Sequence, residues 1–205
     1  MRAVVIGCSL AAVFWFVMFS PWTASAVNFW LGMTPATGVL SVFALVLGRQ
    51  TLSRVYRFEL KWLAIGIASA VVLYLVFFIG DRLASVLFDF ASPEVEGIYG
   101  TKAQAAPALI GTLLLFWIGP AEEVFWRGFI QHRLAGRFGE ARGFLLAAAV
   151  YAFVHIWAFN LMLFGAALVC GLFWGWMFLR YKSVWPGLIS HALWDLTIFV
   201  LLPIH

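Results

Sequence analysis

Long apolar runs separated by short polar gaps dominate the pattern of this sequence. A helix that spans a bilayer needs about 20 apolar residues, and seven segments approach or exceed that length. They cover residues 3–22, 27–48, 62–80, 105–131, 142–158, 161–179 and 185–203. The strands of a membrane barrel would instead alternate apolar and polar residues. The pattern therefore predicts an all-α fold, a polytopic membrane helical bundle of about seven transmembrane helices.

The composition excludes a soluble protein. Of the 205 residues, 64% are hydrophobic and 11% are charged, whereas about 25% are charged in an average soluble domain. A soluble chain of this size has too much surface to cover with so few polar groups. No repeat or polar linker interrupts the spans, so we expect a single integral membrane domain over residues 1–205.

The few charged residues predict the orientation of the bundle. Basic residues cluster in the gaps at 49–61, which includes Arg54, at 132–142 and at 180–182, whereas the gap at 81–104 is acidic. Short basic loops favour the cytoplasmic side of a membrane. We therefore expect a cytoplasmic N-terminus and, after seven spans, an external C-terminus at His205. Because the basic residues lie in short gaps between apolar runs, the net charge of +4 does not indicate a nucleic-acid partner, and none is expected.

The first span has two interpretations. Arg2, an apolar run and then Ala24-Ser25-Ala26 resemble a secretory signal peptide with a small-residue cleavage site. The run is longer than a typical signal core, so we expect an uncleaved first helix. Its tryptophans and those just after it are expected to be interfacial anchors; they are Trp15, Trp22 and Trp30.

The segment 83–104 is too polar to span the membrane. Apolar residues recur at helical spacing in its first part, at Leu83, Val86, Leu87 and Phe90. This pattern fits an amphipathic helix on the outer interface, and it fits a structured loop equally well.

Ionisable residues interrupt the fourth span, where such groups are costly and mark function by default. Pro120 is expected to kink or restart the helix, and Glu122 and Glu123 follow it. Adjacent residues lie about 100° apart around a helix, so the two carboxylates face different directions. Glu123 and Arg127 have the spacing of an ion pair on one face, which leaves Glu122 for a cavity of the bundle.

Two more polar clusters occupy the fifth and seventh spans. His155 lies deep in the fifth span, with Tyr151 one turn before it, and His191 and Asp195 share a face of the seventh. A single histidine of this kind is often only a packing residue. A rise of about 1.5 Å per residue, however, puts these groups and Glu122 at similar depths, roughly 10–20 Å from the cytoplasmic side. We therefore expect three helices to bring them to one site.

This group of acids and histidines has the parts of a hydrolase. A carboxylate beside an imidazole can hold and deprotonate water, and a second imidazole can stabilise the oxyanion of a tetrahedral intermediate. No GxSxG motif or cysteine near a histidine suggests a covalent nucleophile. Glu122, His155 and His191 would also make a reasonable zinc ligand set, although HExxH is absent. The residues alone leave metal-free and metal-assisted hydrolysis open.

Three motifs follow one another along the late spans: Glu122-Glu123-xxx-Arg127, Tyr151-xxx-His155 and His191-xxx-Asp195. Together with Trp185-Pro186-Gly187 before the last one, they resemble the CPBP family of type II CAAX prenyl endopeptidases and Abi-like membrane proteins. The resemblance covers a core of about residues 105–203. It implies an intramembrane endopeptidase of the glutamate type. Its implied roles are water activation by Glu122 with His155, an oxyanion site lined by His191 with Asp195, and support from Glu123 and Arg127.

Two positions depart from the motifs of that family. Tyr151 stands where phenylalanine is commoner, and Asp195 stands where asparagine is often found. An ionised aspartate cannot donate to an oxyanion, so Asp195 is either protonated or an acceptor that orients His191. We expect no cofactor, and the alternative is zinc bound by Glu122, His155 and His191.

The main hypothesis is hydrolysis of a peptide bond near a membrane-anchored or lipidated segment, in a bacterial cytoplasmic membrane. The expected partners are a membrane-anchored protein or peptide substrate and the lipid bilayer. A small ion- or proton-coupled transporter also uses intramembrane acids and histidines, but transporters usually show internal repeats, which are absent here. The other alternative, a non-catalytic immunity or scaffold protein on the same fold, would not need the glutamate and histidines.

Overall fold

The computed structural model describes residues 1–49 and 55–204, and within these ranges it contains helices and no strands. Arg54 and His205, on which part of the predicted orientation rests, lie outside the described residues. Among the described residues, six helices are long and apolar enough to cross a membrane and one apolar helix is shorter. They are α1 (Arg2–Phe19), α2 (Phe29–Leu47), α3 (Lys61–Leu87), α5 (Pro107–Phe138), α6 (Glu140–Ala158), α7 (Leu161–Tyr181) and the shorter α8 (Trp185–Leu201). A short helix, α4 (Ala91–Tyr99), lies between α3 and α5. The prediction of an all-α membrane bundle of about seven spans is confirmed.

The third span is longer than the hydrophobic pattern predicted. It continues past residue 80 to Leu87, and the chain becomes extended at Phe88. Neither the interfacial helix nor the structured loop expected at the start of segment 83–104 is present, since Leu83 and Val86 belong to α3. No proline follows residue 80 before Leu87, and Gly80 alone costs a helix only about 1 kcal/mol, so the helix persists into the polar region. The separate helix α4 begins only at Ala91.

Pro120 does not restart the fourth span. Helix α5 is continuous, but it widens into π-helical turns at Leu114–Ile118 and Trp126–Gln131, on either side of the α-helical turns at Gly119–Phe125. A proline removes one hydrogen bond and its ring presses on the preceding turn. A π turn directly before it absorbs this mismatch without a break.

Glycines allow close packing around the centre of the bundle. A Cβ atom at Gly66 on α3 would lie 2.6 Å from the Ile189 side chain on α8. A Cβ atom at Gly119 on α5 would lie 3.1 Å from the backbone of Ala192, also on α8. These approaches hold α8 against both α3 and α5, and they bring its polar face to the glutamates of α5.

Helix α4 closes the end of the bundle opposite the basic gaps. The Glu94 carboxylate accepts a hydrogen bond from the Met162 N–H at 2.8 Å, and the Asn160 side chain donates to the Glu94 carbonyl at 2.8 Å. The Tyr99 hydroxyl donates to the Ile198 carbonyl at 2.8 Å. These bonds tie α4 to the first turn of α7 and the last turns of α8.

Candidate active site

A cavity of about 430 Å³ lies inside the bundle. Glu122 from α5, His155 from α6, and His191 and Asp195 from α8 all contribute to its wall. The rest of the wall is mostly apolar and aromatic. The structure therefore brings together on one cavity the four residues that the sequence nominated from three separate spans.

Glu122 faces this cavity and is only 5% exposed. Its Oε2 atom has no hydrogen-bond partner among the described residues. The charges of His191 and Asp195 are close enough to interact with its carboxylate. A buried polar oxygen without a partner is costly. Water can satisfy such an atom where a roomy cavity offers it further polar partners, and His191 and Asp195 lie on the same wall. Glu122 is therefore suited to bind and activate water.

Glu123 faces away from Glu122 and is completely buried. Its Oε1 atom accepts a hydrogen bond from Arg127 Nη1 at 2.7 Å and lies 3.0 Å from His191 Nδ1. The same-face ion pair expected from the spacing of Glu123 and Arg127 is thus present. A Cβ atom at Gly187 would lie 2.8 Å from Glu123 Oε2. The glycine of the Trp185-Pro186-Gly187 segment therefore leaves room for this carboxylate.

His191 is held between two carboxylates and a tryptophan. Its Nδ1 faces Glu123, and its Nε2 lies 3.4 Å from Asp195 Oδ2. The Trp174 ring stacks on the imidazole with centroids 3.7 Å apart. The Trp174 indole N–H in turn donates to Ser190 Oγ at 3.1 Å. These contacts fix the imidazole plane and leave its Nε2 edge beside Asp195.

His155 lies in a 3₁₀ turn at the end of α6. Its Nδ1 is 2.8 Å from the Tyr151 carbonyl oxygen, and its Nε2 accepts a hydrogen bond from Trp15 Nε1 at 3.0 Å. A carbonyl oxygen can only accept, so the ring proton is on Nδ1. The prediction that Trp15 and Trp30 are interfacial anchors is wrong for both, because both side chains are buried inside the bundle. No sequence pattern linked Trp15 to a residue 140 positions away.

The zinc alternative does not fit the geometry of these side chains. A structural or catalytic zinc site needs the lone pairs of Glu122, His155 and His191 to converge on one point. Both ring nitrogens of His155 and both of His191 instead face protein partners. Within residues 1–49 and 55–204, no group of three or more histidines, cysteines, aspartates or glutamates is arranged to hold a metal ion.

The fold and the site define a polytopic helical membrane protein with a buried glutamate–histidine centre at an internal cavity. The family model described as "Type II CAAX prenyl endopeptidase Rce1-like" matches residues 104–197. The matched range contains all three motifs and confirms the resemblance to the CPBP family. Neither the comparison with curated proteins nor that with solved structures gives a match. The family match supports a CAAX-type intramembrane endopeptidase in general, and it covers α5 to α7 and most of α8.

Proposed function

We propose that the protein is an intramembrane endopeptidase that hydrolyses a peptide bond near a membrane-anchored or lipidated segment, with Glu122 as the base that activates water. The observation that carries this proposal is the unpartnered Glu122 Oε2 atom at the wall of the 430 Å³ cavity. His155, His191 and Asp195 line the same cavity. The family match over residues 104–197 supports the same class of reaction.

The proposed reaction is a direct attack of water on the amide. Glu122 takes a proton from water as the water oxygen bonds to the carbonyl carbon, which forms a tetrahedral oxyanion. His191 in its doubly protonated form donates Nδ1–H to Glu123 and offers Nε2–H to stabilise that oxyanion. Glu122 then returns the proton to the amide nitrogen, and the C–N bond breaks to give a carboxylic acid and an amine. No metal takes part in these steps.

Asp195 is proposed to orient His191 rather than to donate to the oxyanion. Its Oδ2 atom lies 3.4 Å from His191 Nε2. This contact is longer than a usual hydrogen bond, so the carboxylate attracts the protonated imidazole and orients its ring while the Nε2–H stays available to the oxyanion. This role explains how an aspartate serves where an asparagine is common in the family motif.

A second cavity of about 410 Å³ supports lateral access from the lipid. It lies among α3, α4, α7 and α8, and Trp194 and Asp195 line both cavities. Its wall includes Val76 on α3 and Leu161 on α7, which are exposed on the outside of the bundle. We propose that the apolar anchor of the substrate reaches the reacting group through this cavity.

Glu122→Gln tests the proposed reaction because it keeps the shape of the side chain and removes the base. Purified protein is reconstituted in liposomes with a quenched fluorescent peptide that ends in a farnesylated CAAX sequence, and the cleavage rate is measured. Loss of a general base typically lowers a rate by about 10²–10⁴-fold, and we expect a loss in that range for Glu122→Gln. Glu140→Gln is the matched control, since Glu140 pairs with Lys182 on the surface.

The control variant should cleave at the rate of the unmodified protein. Cleavage by Glu122→Gln at that same rate would contradict the role of Glu122. If the unmodified protein cleaved none of a set of membrane-anchored peptides, the endopeptidase proposal itself would be contradicted.

A further inference from the structure

Trp15 connects α1 to the candidate active site by a single buried hydrogen bond. Its indole N–H donates to His155 Nε2 at 3.0 Å, and the Trp15 side chain is 0% exposed. Helix α1 lies outside the residues matched by the family model. We propose that Trp15 is a positioning residue for His155: it fixes the orientation and the tautomer of an imidazole that forms part of the wall of the reaction cavity, and this inference rests on the proposed function.

The two partners of His155 constrain its ring from opposite edges. Tyr151, on the same helix, accepts from Nδ1 through its backbone carbonyl, and Trp15, on a different helix, donates to Nε2. Because Nε2 accepts and Nδ1 donates, the ring is neutral and carries its proton on Nδ1. Without the indole N–H, Nε2 would be a buried acceptor with no protein donor, and such an atom recruits another partner or rotates away.

Ring packing holds Trp15 in the direction that this hydrogen bond needs. Its ring meets Trp126 of α5 edge-on with centroids 6.4 Å apart, and it meets the His155 ring edge-on at 5.8 Å. Trp126 in turn packs edge-on against Tyr151 at 5.3 Å. This aromatic cluster joins α1 to the glutamate-bearing helix and to the histidine-bearing helix. The position of the indole is therefore set before any substrate binds.

The acceptor used by Trp15 distinguishes it from Trp30, Trp117 and Trp185. An indole N–H generally finds an acceptor, and for these three tryptophans the acceptor is a backbone carbonyl. Trp15 instead uses the side chain of a cavity-lining histidine. Removing the Trp15 N–H therefore leaves a histidine of the candidate site without its donor. Removing the N–H of Trp30, Trp117 or Trp185 instead leaves a backbone carbonyl without its donor.

The test removes the indole N–H and leaves the ring. Trp15→Phe removes the donor with some loss of volume, and Trp15→benzothienylalanine replaces the N–H by sulfur in a ring of the same shape. Trp117→Phe is the control, since Trp117 donates to the Thr34 carbonyl at 2.9 Å, away from His155. All three are compared with the unmodified protein in the liposome assay and by ¹⁵N NMR of histidine-labelled protein.

We expect both Trp15 variants to lower kcat by roughly 10-fold, the lower end of what losing the second partner of a metal-bound histidine costs in other proteins, with KM little changed. The unfolding temperature should fall more in Trp15→Phe, which also leaves a cavity, than in the benzothienylalanine variant. We also expect the His155 ¹⁵N signals to leave the pattern of an Nδ1-protonated, Nε2-accepting ring. Trp117→Phe should change neither. The benzothienylalanine variant preserves the packing if Trp15→Phe fails to fold.

An unchanged kcat or unchanged His155 signals in the benzothienylalanine variant would overturn the positioning role, and so would a kcat that rises. Absence of any cleavage by the unmodified protein would instead count against the proposed function. In that case the NMR comparison still decides whether Trp15 fixes the tautomer of His155.

Discussion

Glu122 and Glu123 are neighbours in the chain but have different surroundings. Each carboxylate has one oxygen, Oε2, without a hydrogen-bond partner among the described residues. The other oxygen of Glu123 is held by Arg127 and His191 away from the cavity, whereas Glu122 lines the cavity wall. The 100° turn between consecutive helical residues causes this division, because one side chain points to α7 and α8 and the other to the cavity. Two residues of the same type can therefore take different tasks.

Glu123 and Arg127 form a buried ion pair whose partners depend on each other. Glu123→Gln would leave the Arg127 guanidinium buried without its counter-charge, and breaking such a pair typically costs about 3–5 kcal/mol. We expect Glu123→Gln to lower the free energy of unfolding in detergent micelles by an amount in that range, measured by denaturant titration. It should also weaken catalysis, since His191 loses a charged partner.

The surface pair of Glu140 and Lys182 provides the comparison. Its side chains are 60% and 52% exposed, and an exposed pair contributes about 0–1 kcal/mol. Glu140→Gln should therefore leave the unfolding midpoint almost unchanged. If Glu123→Gln and Glu140→Gln lowered the free energy of unfolding equally, the buried pair of Glu123 and Arg127 would stabilise the protein no more than an exposed pair does. That result would contradict the prediction.

At the scale of the elements, the irregular turns of α5 create hydrogen-bonding needs that other helices meet. The Ser41 hydroxyl on α2 donates to the Ala121 carbonyl at 2.9 Å, and the Tyr56 hydroxyl contacts the Val124 carbonyl at 3.3 Å. A regular helix uses its carbonyls internally, so outside donors at Ala121 and Val124 mark the region that Pro120 and the π turns distort. These donors hold the backbone on both sides of the glutamates.

The approach of α3 to α8 depends on one glycine. A Cβ atom at Gly66 would lie 2.6 Å from the Ile189 side chain and 3.2 Å from the Pro186 carbonyl. Gly66→Ala should push the helices apart and destabilise the protein by about 1–3 kcal/mol, as overpacking does in other cores. The free energy of unfolding in micelles measures this effect.

Gly80→Ala is the matched control on the same helix. Nothing lies within 4 Å of a Cβ atom at Gly80, so this change removes backbone flexibility without a clash. A helical Gly→Ala substitution then stabilises by up to about 1 kcal/mol. If Gly66→Ala also stabilised the protein, the close contact of α3 with α8 would be contradicted.

The existence of the helices was easier to predict than their ends. Hydrophobic length identified the span now seen as α3, but the helix continues through Asp81 and Arg82 to Leu87. Hydropathy reports where the chain meets water, whereas a helix ends where its backbone hydrogen bonds or φ and ψ angles change. The two boundaries coincide only when a capping or breaking residue stands at the membrane surface.

At the scale of the whole molecule, the basic gaps gather at one end of the bundle. Arg133 near the end of α5 donates to the Leu47 carbonyl at the end of α2, and Glu140 pairs with Lys182 across the ends of α6 and α7. The acidic segment with α4 lies at the opposite end. Clustered basic residues at one end are typical of the cytoplasmic face, and a cytoplasmic location of this end stays a prediction.

Labelling of single cysteines tests the orientation. In a Cys8→Ala, Cys170→Ala background, Lys182→Cys should react with a membrane-impermeant maleimide only in inverted vesicles. Glu96→Cys on α4 should react in intact spheroplasts. The reverse pattern would contradict the cytoplasmic N-terminus, and reaction of both from one side would contradict the number of spans between them.

The sequence by itself determined the class of the fold and the four residues now found on one cavity. The reason is that length, hydrophobicity and the i,i+4 spacing of Glu123 with Arg127 and of His191 with Asp195 are local properties of a helix. Only the tertiary structure decided which partners those residues have across helices. The contacts of His191 with Glu123 and of His155 with Trp15 join residues 68 and 140 positions apart. Helix packing sets such distances, and a pattern along one helix contains no information about which face of another helix will meet it.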